Sequence, residues 1–384
     1  MYRPTYIEVD CNKLENNIKK IVKKYSDYKY FFGVAKNNAY HHGIYCVNHL
    51  INAGINYLCV SSLEEAEQVR RYNSDIPILC LEPIKTEYVY DAINNNVTIS
   101  ITSFHEAQEL NDLKLSDQVK VHLKIDSGMN RLGIKRSEEL IKIYNLLKSN
   151  QKIFVEGIYT HLAFDGLSDI NYEKQVDCFR QIVSSIDLKE IPVVHIDRSY
   201  TAFLHKKIDI VNGVRLGLGI YGFKPEPQKR GLLSLFSHAK GKDLFLDSEL
   251  VNTDYVFSCY TEVISVREVF AGDFVGYNAT FKVKDHGYIA TIPCGYADGI
   301  TKDFEYVYIK NRRYKIVAEC MDMLMILVDD TIKVGNKVEI VGKNQNPSII
   351  AKRMGIIDHK FLNLFTNRVP IIYTYSGNNF EVKY

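Results

Sequence analysis

From residue 30 onward the chain repeats one alternation, a short run of β-branched and aromatic residues followed by a stretch with helical spacing. The runs are "YFFGVAK", "NYLCVSS", "IPILCLEP", "VTISITS", "VKVHLKID", "VEGIYTHL", "IPVVHID" and "GVRLGLGIYG". Between most of them lie helix-like segments such as "SSLEEAEQVRRY", "SFHEAQELNDL", "RSEELIKIYNLLKS" and "YEKQVDCFRQIVSSI". Ser62 with Glu65, and Ser103 with Glu106, have capping-box spacing at two of the helix starts. Strands that alternate with helices pair in parallel, because each crossover carries the chain back to the same end of the sheet. Eight such runs, ending near residue 222, match an eight-stranded (β/α) barrel better than an open doubly wound sheet, which needs fewer. The expectation is an α/β chain whose residues 1–240 form that barrel, with roughly the first ten joining a second domain.

The texture then changes. Residues 224–253, "KPEPQKRGLLSLFSHAKGKDLFLDSELVNT", break the rhythm with two prolines and mixed charge and read as a linker or surface excursion. After them "YVFSCYTEVISVREV", "GDFVGYNATFKV", "GYIATIPCGYA", residues 305–310, "MLMILVDD" and "NKVEIVGK" are strand-like runs joined by Gly, Asn and Asp turns, with little helix between. Residues 241–384 are therefore expected to form a mainly β domain.

Charge narrows the partners. Lys and Arg number 48 against 46 Asp and Glu, so no global field recruits nucleic acid or an acidic membrane. The eight cysteines lie scattered, mostly within apolar runs, with no C-x-x-C pair and no metal-ligand spacing, and read as buried thiols of a reducing compartment. The start of the chain has no basic-then-apolar leader, and no apolar stretch is long enough to span a bilayer. A cytoplasmic protein without a metal, a nucleic acid or a membrane partner is expected.

In a βα barrel the loops at the C-terminal strand ends make one shared mouth, and chemistry sits there. Taken in order, those ends carry Lys36, Lys124 with Asp126 and Arg131, His161, His195 with Ser199, and Arg215 followed by "LGLG". Singly each has a plain explanation, a strand cap or a hydrogen-bonded core histidine. Together they describe a site. A lysine desolvated among apolar neighbours can lose its proton and attack a carbonyl to form a Schiff base. Ser199 and the backbone of Gly217 and Gly219 suit a phosphate. Pyridoxal 5'-phosphate carries both an aldehyde and a phosphate, so one cofactor answers both features.

Here the residues resemble a known family. "VAKNNAYHHG" (34–43) is similar to the cofactor-lysine segment of the alanine racemases, and "HLKIDSGMNRLGI", "YTHLA", "VRLGLGIYG", "VGYNATF", "IPCGYADG", "CMDML" and "RVP" resemble that family in its order. The likeness runs from near residue 5 to about residue 370. It implies a barrel that binds pyridoxal phosphate, followed by a β-domain. Lys36 would hold the cofactor and act as the base on one face of the substrate Cα. Tyr277 would be the base on the other face, contributed by the partner subunit, so a homodimer with shared sites is implied. Arg215 would face the pyridine nitrogen, and a guanidinium donates a hydrogen bond without giving up its proton. His161 and His195 would orient Arg215 and Tyr277, with positive charge lowering the pKa of the phenol. Arg131 and the Met321 backbone N–H would take the substrate carboxylate; Tyr40, Ser199, Gly217 and Leu218 would hold the phosphate. Lys124 corresponds to a lysine that some members carry as a carbamate.

The departures bear on the substrate. Arg198 stands where the family usually has Asn, and His41 replaces the usual Gly of the lysine segment. Asn367 occupies a position often filled by a pocket-lining tyrosine, which suggests a roomier, more polar wall and a racemase that accepts serine beside alanine. A carrier that binds pyridoxal phosphate without turnover resembles the barrel alone, whereas this chain also has the second domain and Tyr277.

Overall fold

The computed structural model describes residues 2–164, 170–225 and 250–381. Most of the expected 224–253 linker, and the expected boundary at 240/241, lie outside the described residues. The chain divides into two compact units. One is Glu15–Ala39 with Ile44–Thr253; the other is Met1–Leu14, Tyr40–Gly43 and Asp254–Tyr384.

The first unit is a closed barrel of eight parallel strands, as the alternation predicts. In chain order after β1 (Tyr6–Asp10) these are β2 (Tyr30–Val34), β3 (Tyr57–Val60), β4 (Ile78–Cys80), β5 (Val97–Ile101), β6 (Val119–Ile125), β7 (Ile153–Thr160), β8 (Val193–Arg198) and β9 (Gly213–Leu216), with β9 pairing back to β2. Each strand is covered on both faces, by the barrel interior and by the outer helices, which is why the runs read as apolar throughout and do not alternate. Phe32, Leu58, Leu79, Leu123, Ile158 and Val214 are fully buried. The predicted caps form at both helix starts. Ser62 accepts the Glu65 N–H at 3.4 Å and Ser103 accepts the Glu106 N–H at 3.3 Å. The two glutamates reach one residue further back than a capping box requires, to the N–H groups of Ser61 and Thr102, each at 2.7 Å.

The second unit is built on a ten-stranded sheet. Its strands are β10 (Phe257–Glu262), β11 (Ser265–Val269), β14 (Gly287–Ile292), β15 (Tyr306–Ile309), β16 (Arg312–Glu319), β17 (Leu324–Val328), β18 (Lys337–Val341), β19 (Ile371–Tyr375) and β20 (Asn378–Glu381), together with β1. β1 lies antiparallel to β10 and parallel to β19. Two short helices, Pro347–Arg353 and Asp358–Leu362, and the charged strand β16 are additions to the expected pattern. "GDFVGYNATFKV" is a separate two-stranded ribbon, β12 (Phe274–Val275) and β13 (Phe281–Lys282), joined by a 3₁₀ turn over Tyr277–Ala279. Tyr277 is thus a turn residue, because Asn278 and Ala279 adopt left-handed φ values of 53° and 52° that no strand accommodates. Among the described residues, no helix is long and apolar enough to cross a membrane.

One ion pair organises the "CGYADG" turn of this unit. Arg3 forks onto Asp298 at 2.9 and 2.8 Å and also donates to the Pro293 carbonyl. The Asp298 carboxylate, fully buried, accepts the Gly295 N–H at 3.0 Å. The turn then hooks the neighbouring segment: Tyr296 N–H donates to the Cys320 carbonyl and Ala297 N–H to that of Met321. Arg3→Ala leaves the buried carboxylate with the Gly295 N–H and a longer ion pair to Arg368, at 3.5 Å, and is expected to lower the unfolding free energy by about 1–3 kcal/mol in urea titration. A loss under about 0.5 kcal/mol would show that Asp298 finds equal partners without it.

Candidate active site

Apart from Tyr40, which groups with the sheet unit, the barrel residues singled out from sequence lie on one unit, and most sit where the strands end. Lys36 follows β2 by one residue, Lys124 is the penultimate residue of β6, Asp126 and Arg131 lie just past it, and His161 directly follows β7. Arg198 closes β8, Ser199 follows it, and Gly217 and Leu218 follow β9. Arg215 is the penultimate residue of β9, as Lys124 is of β6. His195 differs from the expected strand-end placement, because it is the third of the six residues of β8 and is buried inside the barrel.

After Lys36 the chain turns the wrong way. Asn37, Asn38, Ala39, Tyr40 and His41 all have φ between 51° and 63°, a left-handed helical turn made without glycine. Such a conformation costs roughly 1–2 kcal/mol per residue and persists only where surroundings impose it. Glu65 accepts the Asn37 N–H at 2.6 Å, and the Asn38 side chain accepts the Ile44 N–H at 2.8 Å. Tyr40 sets its ring edge-on to His359, and His41 stacks on Phe365. Burial holds the His41 imidazole neutral, with its pKa down to about 4.

The mouth is cationic. Burial lowers the Lys124 pKa to about 8, and Arg131, Arg215 and Lys36 push it the same way while Asp126 opposes them. His161 is driven down to about 2, by burial first and then by Arg215, Arg198, Arg131 and Lys124. Among the described residues Lys36 and Arg131 form no hydrogen bond or ion pair within this cluster. Asp126 turns its carboxylate to the backbone N–H groups of Gly128 and Asn130. Arg215 is held on four sides, by His195 Nδ1 at 2.7 Å and by the carbonyls of His195, Thr160 and Ile196 at 3.0, 2.7 and 3.0 Å. Its guanidinium lies 5.5 Å from the Tyr159 ring centroid. Burial also keeps His195 uncharged, so the positive charge here belongs to Arg215 and not to the two imidazoles.

Beside the cations lies a small backbone cradle. Ser199 Oγ accepts the N–H groups of Gly217 at 2.9 Å and Gly219 at 3.2 Å. A Cβ on Gly219 would stand 2.7 Å from the Phe203 ring and 2.8 Å from Ser199 Cβ, so only glycine admits this approach. A surplus of cations, an amine without a partner, and serine and backbone donors together suit an anionic aldehyde bearing a phosphate. Pyridoxal phosphate fits that donor set. Among the described residues, no group of His, Cys, Asp and Glu could hold a metal ion.

The other candidates belong to the sheet unit. Tyr277 is 73% exposed and Met321 53%, and Asn367 is exposed as well. Sequence reasoning missed two residues of the barrel, the buried His122 and the half-buried Glu156. His195 Nε2 meets His122, which in turn meets Glu156. Their signal was a polar residue inside an apolar run, "KVHLK" and "FVEGI".

Comparison with known proteins agrees with this reading along the whole chain. The family model described as "Alanine racemase, N-terminal domain" matches residues 9–225, and that described as "Alanine racemase, C-terminal domain" matches residues 256–373. An alanine racemase of Listeria innocua is 32% identical, covering 96% of this chain and 97% of its own. Alanine racemase 1 of Bacillus subtilis is 29% identical over 100% of this chain and 96% of its own. Among solved structures, alanine racemase from Bacillus anthracis with bound L-Ala-P has a TM-score of 0.87 at 29% identity, covering 99% of this chain and 97% of that one. The Clostridium difficile enzyme has a TM-score of 0.88 at 28% identity, covering 100% and 98%.

The neutral histidines have a consequence for acid stability. The unfolded chain takes up protons on these imidazoles near pH 6.5, whereas the folded barrel holds His122, His161 and His195 below that value, by burial first in each case. Stability is therefore full above pH 6.5 and falls as pH drops below it, by up to about 1.4 kcal/mol per pH unit for each histidine. Urea midpoints are expected to be level from pH 7 to 8 and to decline steeply from 6.5 to 4. A flat profile down to pH 5 would mean that these imidazoles are charged in the fold.

Proposed function

From the premise that the chain belongs to the alanine racemase family, we propose that it interconverts L- and D-alanine with two bases on opposite faces of the substrate Cα. The observation that carries this is the unpartnered amine of Lys36 set among Lys124, Arg131 and Arg215 at the barrel mouth. Pyridoxal phosphate, the family's cofactor, supplies when bound an electrophilic carbonyl carbon and a ring that takes up the electron pair left at Cα. Lys36 would hold it through Nζ and would move a proton to or from Cα on one face. Ser199, Gly217, Leu218 and Tyr40 hold its phosphate, and Arg131 with the Met321 backbone takes the substrate carboxylate.

Arg215 would face the ring nitrogen and, since a guanidinium keeps its own proton, would leave that nitrogen a weaker draw on electrons. That arrangement would favour return of the proton to Cα over side reactions. Lys124 is the amine from which a carbamate would form, since a pKa near 8 leaves a substantial uncharged fraction at neutral pH. The broader serine reading raised by Asn367 is not favoured, because the four relatives named above are alanine racemases. A non-catalytic carrier is disfavoured on the same ground.

Tyr277 is the base of the opposite face, supplied by a second copy of the chain. Its high exposure supports this, as does that of its apolar neighbours Phe270 and Phe274, since a base left in water is a poor partner for Cα. Lys36→Ala and Tyr277→Phe are each expected to abolish interconversion of L- and D-alanine, read by chiral chromatography. After subunit exchange an equimolar mixture is expected to regain roughly a quarter of wild-type activity, because half the dimers are mixed and each has one intact site of two. No recovery, with mixed dimers proven by mass spectrometry, would place both bases in one chain.

A further inference from the structure

The hydrogen bonds that hold Arg215 continue through the barrel. His195 Nε2 lies 2.9 Å from His122 Nδ1, and His122 Nε2 lies 3.3 Å from Glu156 Oε2. That same carboxylate oxygen accepts the Tyr57 hydroxyl at 2.7 Å and the Thr98 hydroxyl at 3.1 Å. Burial pushes the Glu156 carboxyl up, but the hydrogen bonds from His122 and Tyr57 and the charge of Lys120 outweigh it and bring the pKa down to about 2. Glu156 is ionised at neutral pH and can only accept.

The two ends fix the direction of the chain. A guanidinium only donates, so His195 Nδ1 must accept and its proton sits on Nε2. That proton points at His122 Nδ1, which leaves the proton of His122 on Nε2, facing the carboxylate. Neither ring can swing away. His195 is sandwiched between Phe32, at 4.5 Å and 16°, and Tyr159, at 4.7 Å and 11°. His122 occupies the space that Gly157 leaves open, since a Cβ there would come within 2.5 Å of the imidazole.

We propose that Glu156 and His122 are positioning residues for Arg215: the carboxylate at the far end orders both imidazoles, and so keeps His195 Nδ1 as an acceptor for the guanidinium. Without an acceptor at Glu156, either imidazole can reverse. A reversed chain sets a His195 N–H against an Arg215 N–H and breaks one of the four bonds that hold the guanidinium in place. The catalytic consequence rests on Arg215 facing the cofactor ring. The tautomer order does not.

The test is ¹⁵N spectroscopy of the histidine rings in cofactor-free, full-length protein, with steady-state kinetics of the loaded enzyme beside it. Wild type is expected to show His122 and His195 each as a single Nε2–H tautomer. Glu156→Leu is expected to give mixed or reversed tautomers at both, and at least about a tenfold loss of kcat with KM for alanine changed less than about twofold. Glu156→Gln, whose amide carbonyl can still accept, is expected to restore wild-type tautomers and to keep kcat within about threefold of wild type. If Glu156→Leu does not fold, Gly157→Ala is read in the same way, because its methyl displaces the His122 ring without removing a polar group. Unchanged tautomers or unchanged kcat in a folded variant would overturn the proposal. The tautomer readout stands even for protein without racemase activity, so failure of the functional reading would be visible separately.

Discussion

Mutual repulsion among Lys36, Lys124, Arg131 and Arg215 is the constraint on which the site depends. The closed barrel brings these groups from β2, β6 and β9 to one end, and each of the other three lowers the pKa of Lys124. Desolvation strengthens the repulsion, because the surrounding protein screens charge less well than water does. An arrangement of this kind is stabilised by anions. Such a field favours phosphate and carboxylate groups, and it adds to burial, the larger cause, in keeping His161 neutral.

The left-handed turn after Lys36 is a second source of free-energy cost at the same place. Asparagine tolerates that conformation, but Ala39, Tyr40 and His41 do not, and the turn persists through the Glu65 contact and aromatic packing. His41 stands where the resembled segment has glycine. Its imidazole, buried and uncharged, stacks on Phe365, so packing offsets part of the strain that glycine would have avoided. Strain and repulsion both converge on Lys36, the residue proposed to hold the cofactor.

Much of this was legible in the chain. The barrel strands are covered on both faces, so their apolar runs stand out without alternation, and Ser62 and Ser103 marked two helix starts through local chemistry. The handedness of the turn at Asn37–His41 was not legible, because it is imposed by contacts distant in sequence. The same holds for His122 and Glu156. They meet each other across 34 residues, and His122 meets His195 across 73, so only barrel closure reveals them as one chain. β16 was missed because Arg312, Arg313 and Lys315 mask its period. Tyr277 was singled out by resemblance alone, since nothing in a 3₁₀ turn between two short strands marks a base.

The central claim is that the Lys36 amine is the group that bonds the cofactor's aldehyde. Protein loaded with pyridoxal phosphate can be reduced with borohydride, digested and mapped by mass spectrometry. The added cofactor mass is expected on the peptide that carries Lys36. Its appearance on Lys124 or elsewhere, or its absence from every peptide of fully loaded protein, would contradict the account.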